Sequence, residues 1–196
     1  MAVFAWLGFA VGYAVATPRD GGTDPVAVGF LQDMSSHHRQ ALEMSLIVLD
    51  NGETPAVRAV AREILIGQSY EIGRMEQQLR TMGQDPIDRP DVVMAWMGMP
   101  STVAAMPGMA TAGQLDALRS AQGVEADVLF VELMAAHHAG GVHMADDAAR
   151  RASSPALRDL AMRMARNQRV EVQEMIALVE RHELPADVTP IPPPRS

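Results

Sequence analysis

The chain has no cysteine and no lysine, few aromatic residues and no long run of basic charge. Without cysteine neither a disulfide nor a thiolate metal site is available, so a soft metal would have to be held by methionine and histidine. The missing lysine makes every strongly basic residue an arginine, which reads as compositional bias and carries no functional weight. Aromatic residues make up 4% of a chain that is 48% hydrophobic, and methionine is abundant at 15, so the core is aliphatic and thioether-rich, as suits helices. A formal net charge of −8 with no basic stretch argues against nucleic acid or an acidic surface as partner. At 196 residues the chain is the size of one domain with a sizeable core.

What the sequence does contain is a repeat. Phe30, Met34, His37, His38 and Met44 reappear at the same spacing as Phe130, Met134, His137, His138 and Met144. The echo continues, with Pro55, Arg58, Ala61, Gln68, Glu71 and Met75 matched by Pro155, Arg158, Ala161, Gln168, Glu171 and Met175. A register kept without a gap over about fifty residues argues for a duplicated structural unit.

In chain order, residues 1–16 are an apolar run, shorter than the roughly 20 residues of a full membrane span. Ala14-Val15-Ala16 resembles the small-x-small site at which signal peptides are cut, so residues 1–23 read as a signal peptide or membrane anchor plus linker. Asp24-Pro25 and Thr54-Pro55 are helix starts and Asn51-Gly52 is a stop, giving a first helix pair over 24–82. Residues 83–123 form a long methionine-bearing connection (Met94, Met97, Met99, Met106, Met109) with a short helix signalled by Thr111 to Gln114. Its methionines read either as adaptable packing over the bundle end or as a soft-metal surface. A second helix pair follows over 124–183, and 184–196 form a proline-rich tail expected to be extended and mobile. The expected fold is therefore all-α, a four-helix bundle built from two duplicated helix pairs.

The repeated stretch has a definite place on its helix. Phe30, Met34, His37, Ala41 and Met44 are spaced four, three, four, three, which is the inward seam of a bundle helix, and the second copy repeats it. On the partner helices the seam brings Gln68, Glu71, Gln168 and Glu171 inward. An unpartnered buried polar group costs on the order of 1–3 kcal/mol. One explanation is a purely structural polar layer in which each histidine bonds a Glu or Gln; the other is a metal. Carboxylate-bridged iron bundles use Glu-x-x-His, whereas here the signal is Met-x-x-His, and a thioether in place of a carboxylate disfavours iron and favours Cu(I) or Ag(I). Imidazole accepts either copper oxidation state, and other transition metals are open. Gly140-Gly141 leaves space beside the second copy, while His143 and His182 read as peripheral.

With the Gln-x-x-Glu-x-x-x-Met of the second helices and Met106-Pro107-Gly108-Met109, these motifs resemble domain-of-unknown-function family 305, over roughly residues 24–183. The resemblance implies a ferritin-like bundle, usually exported, with some members linked to copper binding and resistance. Carried over by position, the implied metal residues are Met34, His37, His38, Met44, Glu71, Met134, His137, His138, Met144 and Glu171. The expected function is an extracytoplasmic protein that sequesters or relays copper. A metal-dependent oxidoreductase on the same bundle is the alternative, though the sequence offers no catalytic constellation.

The expected location is periplasmic, extracellular or at the outer face of the cytoplasmic membrane, with residues 1–16 as a candidate anchor. Fractionation of the native host should recover the protein outside the cytoplasm; full-length protein in the soluble cytoplasmic fraction would contradict this.

Overall fold

A computed structural model describes residues 24–86 and 91–193, and the apolar stretch 1–16 lies outside them. The described chain is all-α, with helices α1 (Pro25–Asn51), α2 (Pro55–Thr81), α3 (Ala112–Ser120), α4 (Val124–Arg151) and α5 (Pro155–His182). Two single-turn 3₁₀ segments, Ala95–Met97 and Val103–Ala105, interrupt the connection. Among the described residues, no helix is long and apolar enough to cross a membrane.

The two duplicated pairs are α1 with α2 and α4 with α5, and they meet through α1 against α4. α2 and α5 scarcely touch, leaving a surface groove between them. Burial follows from this layering. α2 buries one stripe, Val57, Ala61, Ile64, Gln68, Ile72, Met75 and Leu79, as a helix with one wet face should. α1 and α4 are buried on two sides, because α2 and α5 cover one and the connection covers the other.

The core divides into two apolar clusters. One joins Phe30, Leu31 and Met34 of α1 to Met144, Ala145 and Ala148 of α4; the other joins Ala41, Met44 and Val48 to Phe130, Val131 and Met134. The start of each central helix thus packs against the end of the other, so α1 and α4 run antiparallel. Their crossing point is the histidine level.

Each hairpin turn is capped from the opposite pair. Asp24 Oδ2 accepts from Ser153 N and Oγ at 2.8 and 2.7 Å, and Asp127 Oδ2 accepts from Glu53 N and Thr54 N at 3.3 and 2.8 Å. Thr54 makes no cap bond with its own side chain, so the buried Asp127 supplies the acceptor that the start of α2 needs.

The connection is pinned to α1 at three points. Asp33 Oδ2 accepts from Met94 N at 2.7 Å and from the Trp96 indole at 2.8 Å, the Gln40 amide pairs both ways with Ala110, and the His37 ring bonds the Pro107 carbonyl. Met94 takes a left-handed conformation, φ 59°, which costs a non-glycine residue about 1–3 kcal/mol and is held by the Asp33 bond. The space expected at Gly140-Gly141 is filled. A Cβ on Gly140 would lie 1.9 Å from Pro107 O, and one on Gly141 would lie 2.2 Å from Gln168 Oε1.

Over 184–193 the proline-rich tail forms no helix or strand, and it does not stand free of the bundle. Leu184 is buried, Val188 and Ile191 pack on the second cluster, Asp187 N donates to Glu132 and the Arg169 guanidinium donates to Pro192 O. Apolar residues between the prolines give the segment something to bury, which a reading by proline content overlooks.

The glycines yield a test with opposite signs. Gly67 and Gly73 sit within α2 with nothing within 4 Å of the position a methyl would take, so alanine at either should stabilise by about 0.5–1 kcal/mol. Gly140→Ala gains the same helix propensity yet drives a methyl into Pro107, and should destabilise by about 1–3 kcal/mol net. Urea unfolding midpoints decide the signs.

Candidate metal centre

Between the two apolar clusters lies a layer of polar side chains. His37, His38, His137 and His138 are fully buried, and Gln68 and Gln168 nearly so. The carboxylates of Glu71 and Glu171 reach in from the rim, their side chains 16% and 26% exposed.

Every one of the four rings uses its Nε2 in the same way. His38 Nε2 lies 2.8 Å from Glu71 Oε2 and His138 Nε2 lies 2.6 Å from Glu171 Oε2, the same bond in each repeat. His37 Nε2 lies 3.1 Å from Pro107 O, and His137 Nε2 lies 3.0 Å from His37 O. All four partners are carbonyl or carboxylate oxygens, which accept, so each Nε2 carries the proton and donates. In a neutral ring the other nitrogen then has a lone pair, and all four Nδ1 atoms are buried without a partner. A histidine that donates one ring N–H to a carboxylate or carbonyl and keeps the other nitrogen bare is arranged as metal-binding histidines are.

The rings of His37 and His137 stack, with centroids 3.7 Å apart and planes at 29°. Burial first, and then the neighbouring imidazoles, hold His37 down to a pKa of about 3 and His137 well below the usual histidine range. Neutral rings can stack this closely, whereas two imidazolium ions would repel.

The thioethers of the repeat flank the layer on both sides. Met34 and Met144 belong to the first apolar cluster, Met44 and Met134 to the second, and all four are fully buried. The first cluster also takes in Met75, Met164 and, from the connection, Met94, Met97 and Met106, so sulfur is concentrated at one end. His143 and His182 are exposed and stand apart from the layer. Among the described residues no three His, Asp or Glu side chains already converge on one point. The donor chemistry therefore fits a soft ion, with sulfur and imidazole both within the layer and its flanks, and the described residues build no preassembled nitrogen and carboxylate cage.

Residues 27–179 match the family described as domain of unknown function DUF305. The chain belongs to that family. Among solved structures, the DUF305 chain resembles a Streptomyces coelicolor DUF305 protein described as a candidate secreted protein, at 35% identity and TM-score 0.75, covering 84% of this chain and 96% of that one. A DUF305 fragment from Deinococcus radiodurans matches at 29% identity and TM-score 0.69, covering 80% and 97%. CopM in its Cu(II)-bound form matches at 28% identity and TM-score 0.60, covering 80% and 97%, and in its Cu(I)-bound form at 25% and 0.58, covering 80% and 96%. No curated protein matches the DUF305 chain. Its solved relatives thus include a copper-binding protein, as the repeated motif led us to expect.

The depressed histidines fix a pH dependence. In the fold His37 and His137 stay neutral down to low pH, while in the unfolded chain they take up protons near pH ~6.5. The unfolded state therefore binds more protons below that point, so stability is full above pH ~6.5 and falls as pH drops toward 3. The raised pKa of buried Asp33 works in the opposite direction. Urea unfolding between pH 7.5 and 4.5 should show this loss, and His37→Gln should flatten it.

Proposed function

We propose that this DUF305 protein holds copper, Cu(I) in the first place, in its buried imidazole layer, and that it sequesters or relays the ion outside the cytoplasm. The observation that carries this reading is the set of four bare Nδ1 atoms, each opposite an Nε2 already committed to an oxygen. His37, His38, His137 and His138 would supply nitrogen, and Met34, Met44, Met134 and Met144 would supply sulfur from either flank. Glu71 and Glu171, expected among the metal residues, each set one oxygen against the ring of His38 or His138 and would orient those rings in this reading. Copper-bound forms of CopM and the secreted description of the Streptomyces coelicolor relative support the metal and the location.

The layer also changes the expected acid sensitivity. With unperturbed imidazoles near pKa ~6.5, affinity would weaken as pH falls through about 6. His37, held down to about 3, and His137, held well below the usual histidine range, do not compete with protons until the solution is more acidic, so their part of the loss moves down the pH scale.

A structural polar layer is the second reading, favoured by the His38–Glu71 and His138–Glu171 bonds, which pair each of these rings with a carboxylate of the protein itself. Anaerobic titration with Cu(I) or Ag(I), read by native mass spectrometry, separates the two. The purified chain should take up metal; His37→Ala with His137→Ala should remove the acid-sensitive part of the affinity. Met34→Leu with Met134→Leu, which nearly conserve volume, should weaken Cu(I) and Ag(I) while sparing Zn(II). Unchanged Cu(I) affinity in the folded quadruple variant would leave the layer structural only.

A further inference from the structure

The polar layer contains two amides that the histidine chemistry does not use. Gln68 and Gln168 are 3% and 2% exposed, and neither Oε1 nor Nε2 of either has a hydrogen-bond partner. A buried unsatisfied amide costs on the order of 1–3 kcal/mol, so leucine would be the more stable residue at both positions if packing were all that mattered. Both copies of the repeat nevertheless carry glutamine.

Their placement puts them with the rings. Gln68 and Gln168 lie three residues, about one helical turn, before Glu71 and Glu171, whose carboxylates hold His38 and His138. Gln168 Oε1 is pressed so close to α4 that a Cβ on Gly141 would lie 2.2 Å from it, one turn beyond His137. Glycine at that position admits the amide.

We propose that Gln68 and Gln168 set which oxidation state of copper the layer accepts. An amide oxygen is a hard donor, imidazole is borderline and thioether is soft, and mixed nitrogen and oxygen sets suit Cu(II). Cu(I) is held by imidazole and thioether alone; Cu(II) draws the amide oxygens in beside the Nδ1 atoms. This rests on the imidazole layer being the copper site, and it gives the bare amides an occupant, as that reading gives one to the bare ring nitrogens.

The test is the double variant Gln68→Leu with Gln168→Leu in the otherwise intact chain. Two effects of opposite sign are expected. The metal-free variant should unfold at a higher urea concentration than the parent, and its Cu(II) affinity should fall by at least about tenfold with a changed electron paramagnetic resonance spectrum. Anaerobic Cu(I) affinity should stay within about twofold of the parent, since a tenfold loss would correspond to about 1.4 kcal/mol of lost binding. Gln168→Glu, which keeps a hard oxygen at the same reach, should retain Cu(II). If the double variant does not fold, the two single leucine variants carry the same readouts. Cu(II) binding that is unchanged in affinity and spectrum overturns the role of the amides while leaving the copper site standing; a parent chain that binds neither ion removes the site itself.

Discussion

The structure depends on a polar layer set across the middle of an apolar bundle. Four imidazoles lie fully buried where α1 and α4 cross, and burial with mutual repulsion keeps His37 and His137 neutral. Four rings whose Nε2 atoms are bound to oxygens present four unpaired Nδ1 atoms to the interior. At about 1–3 kcal/mol for each unpartnered group, such a layer is expensive for a domain whose net stability is of order 5–15 kcal/mol. Two full-length helix hairpins with apolar clusters on both sides of the layer offset that cost, and an ion bound at the layer would offset it directly.

The duplication explains why the layer is nearly symmetric, and the connection explains where the symmetry fails. His38–Glu71 and His138–Glu171 are the same bond twice. Three departures between repeats lie on the face of α1 that the connection covers. Gly29 makes room for Trp96, Asp33 holds Met94 and Trp96, and Gln40 clamps Ala110, whereas their counterparts are Leu129, Leu133 and Gly140. His37 bonds Pro107 on that face, while His137, with no second connection to meet, turns to the backbone of His37. One cover laid across a twofold repeat has to break it.

Much of this was legible in the sequence because helical period and duplication are local signals. The inward seam, the pairing of histidine with glutamate and the helix starts at proline could all be read from spacing. Long-range partners left no such trace. Nothing near Thr54 announces that Asp127, some seventy positions on, completes its cap, and Gly140-Gly141 signalled space without showing that Pro107 and Gln168 fill it. The two inward glutamates could be read from spacing either as ligands or as partners of the rings, and the structure shows one oxygen of each on a ring nitrogen. The unpartnered glutamine amides are a property of packing alone, visible only once every neighbour is in place.

The central claim is that these rings are held with Nε2 protonated and Nδ1 bare for a soft ion. Nitrogen-15 NMR of histidine-labelled protein at neutral pH, before and after adding diamagnetic Ag(I), reads this directly. The account predicts the Nε2–H form for His37, His38, His137 and His138 in the metal-free chain and an Ag(I)-induced shift at Nδ1 of these rings, with Nε2 keeping its proton. Rings protonated on Nδ1, or Ag(I) binding that leaves all four Nδ1 resonances unmoved, would contradict it.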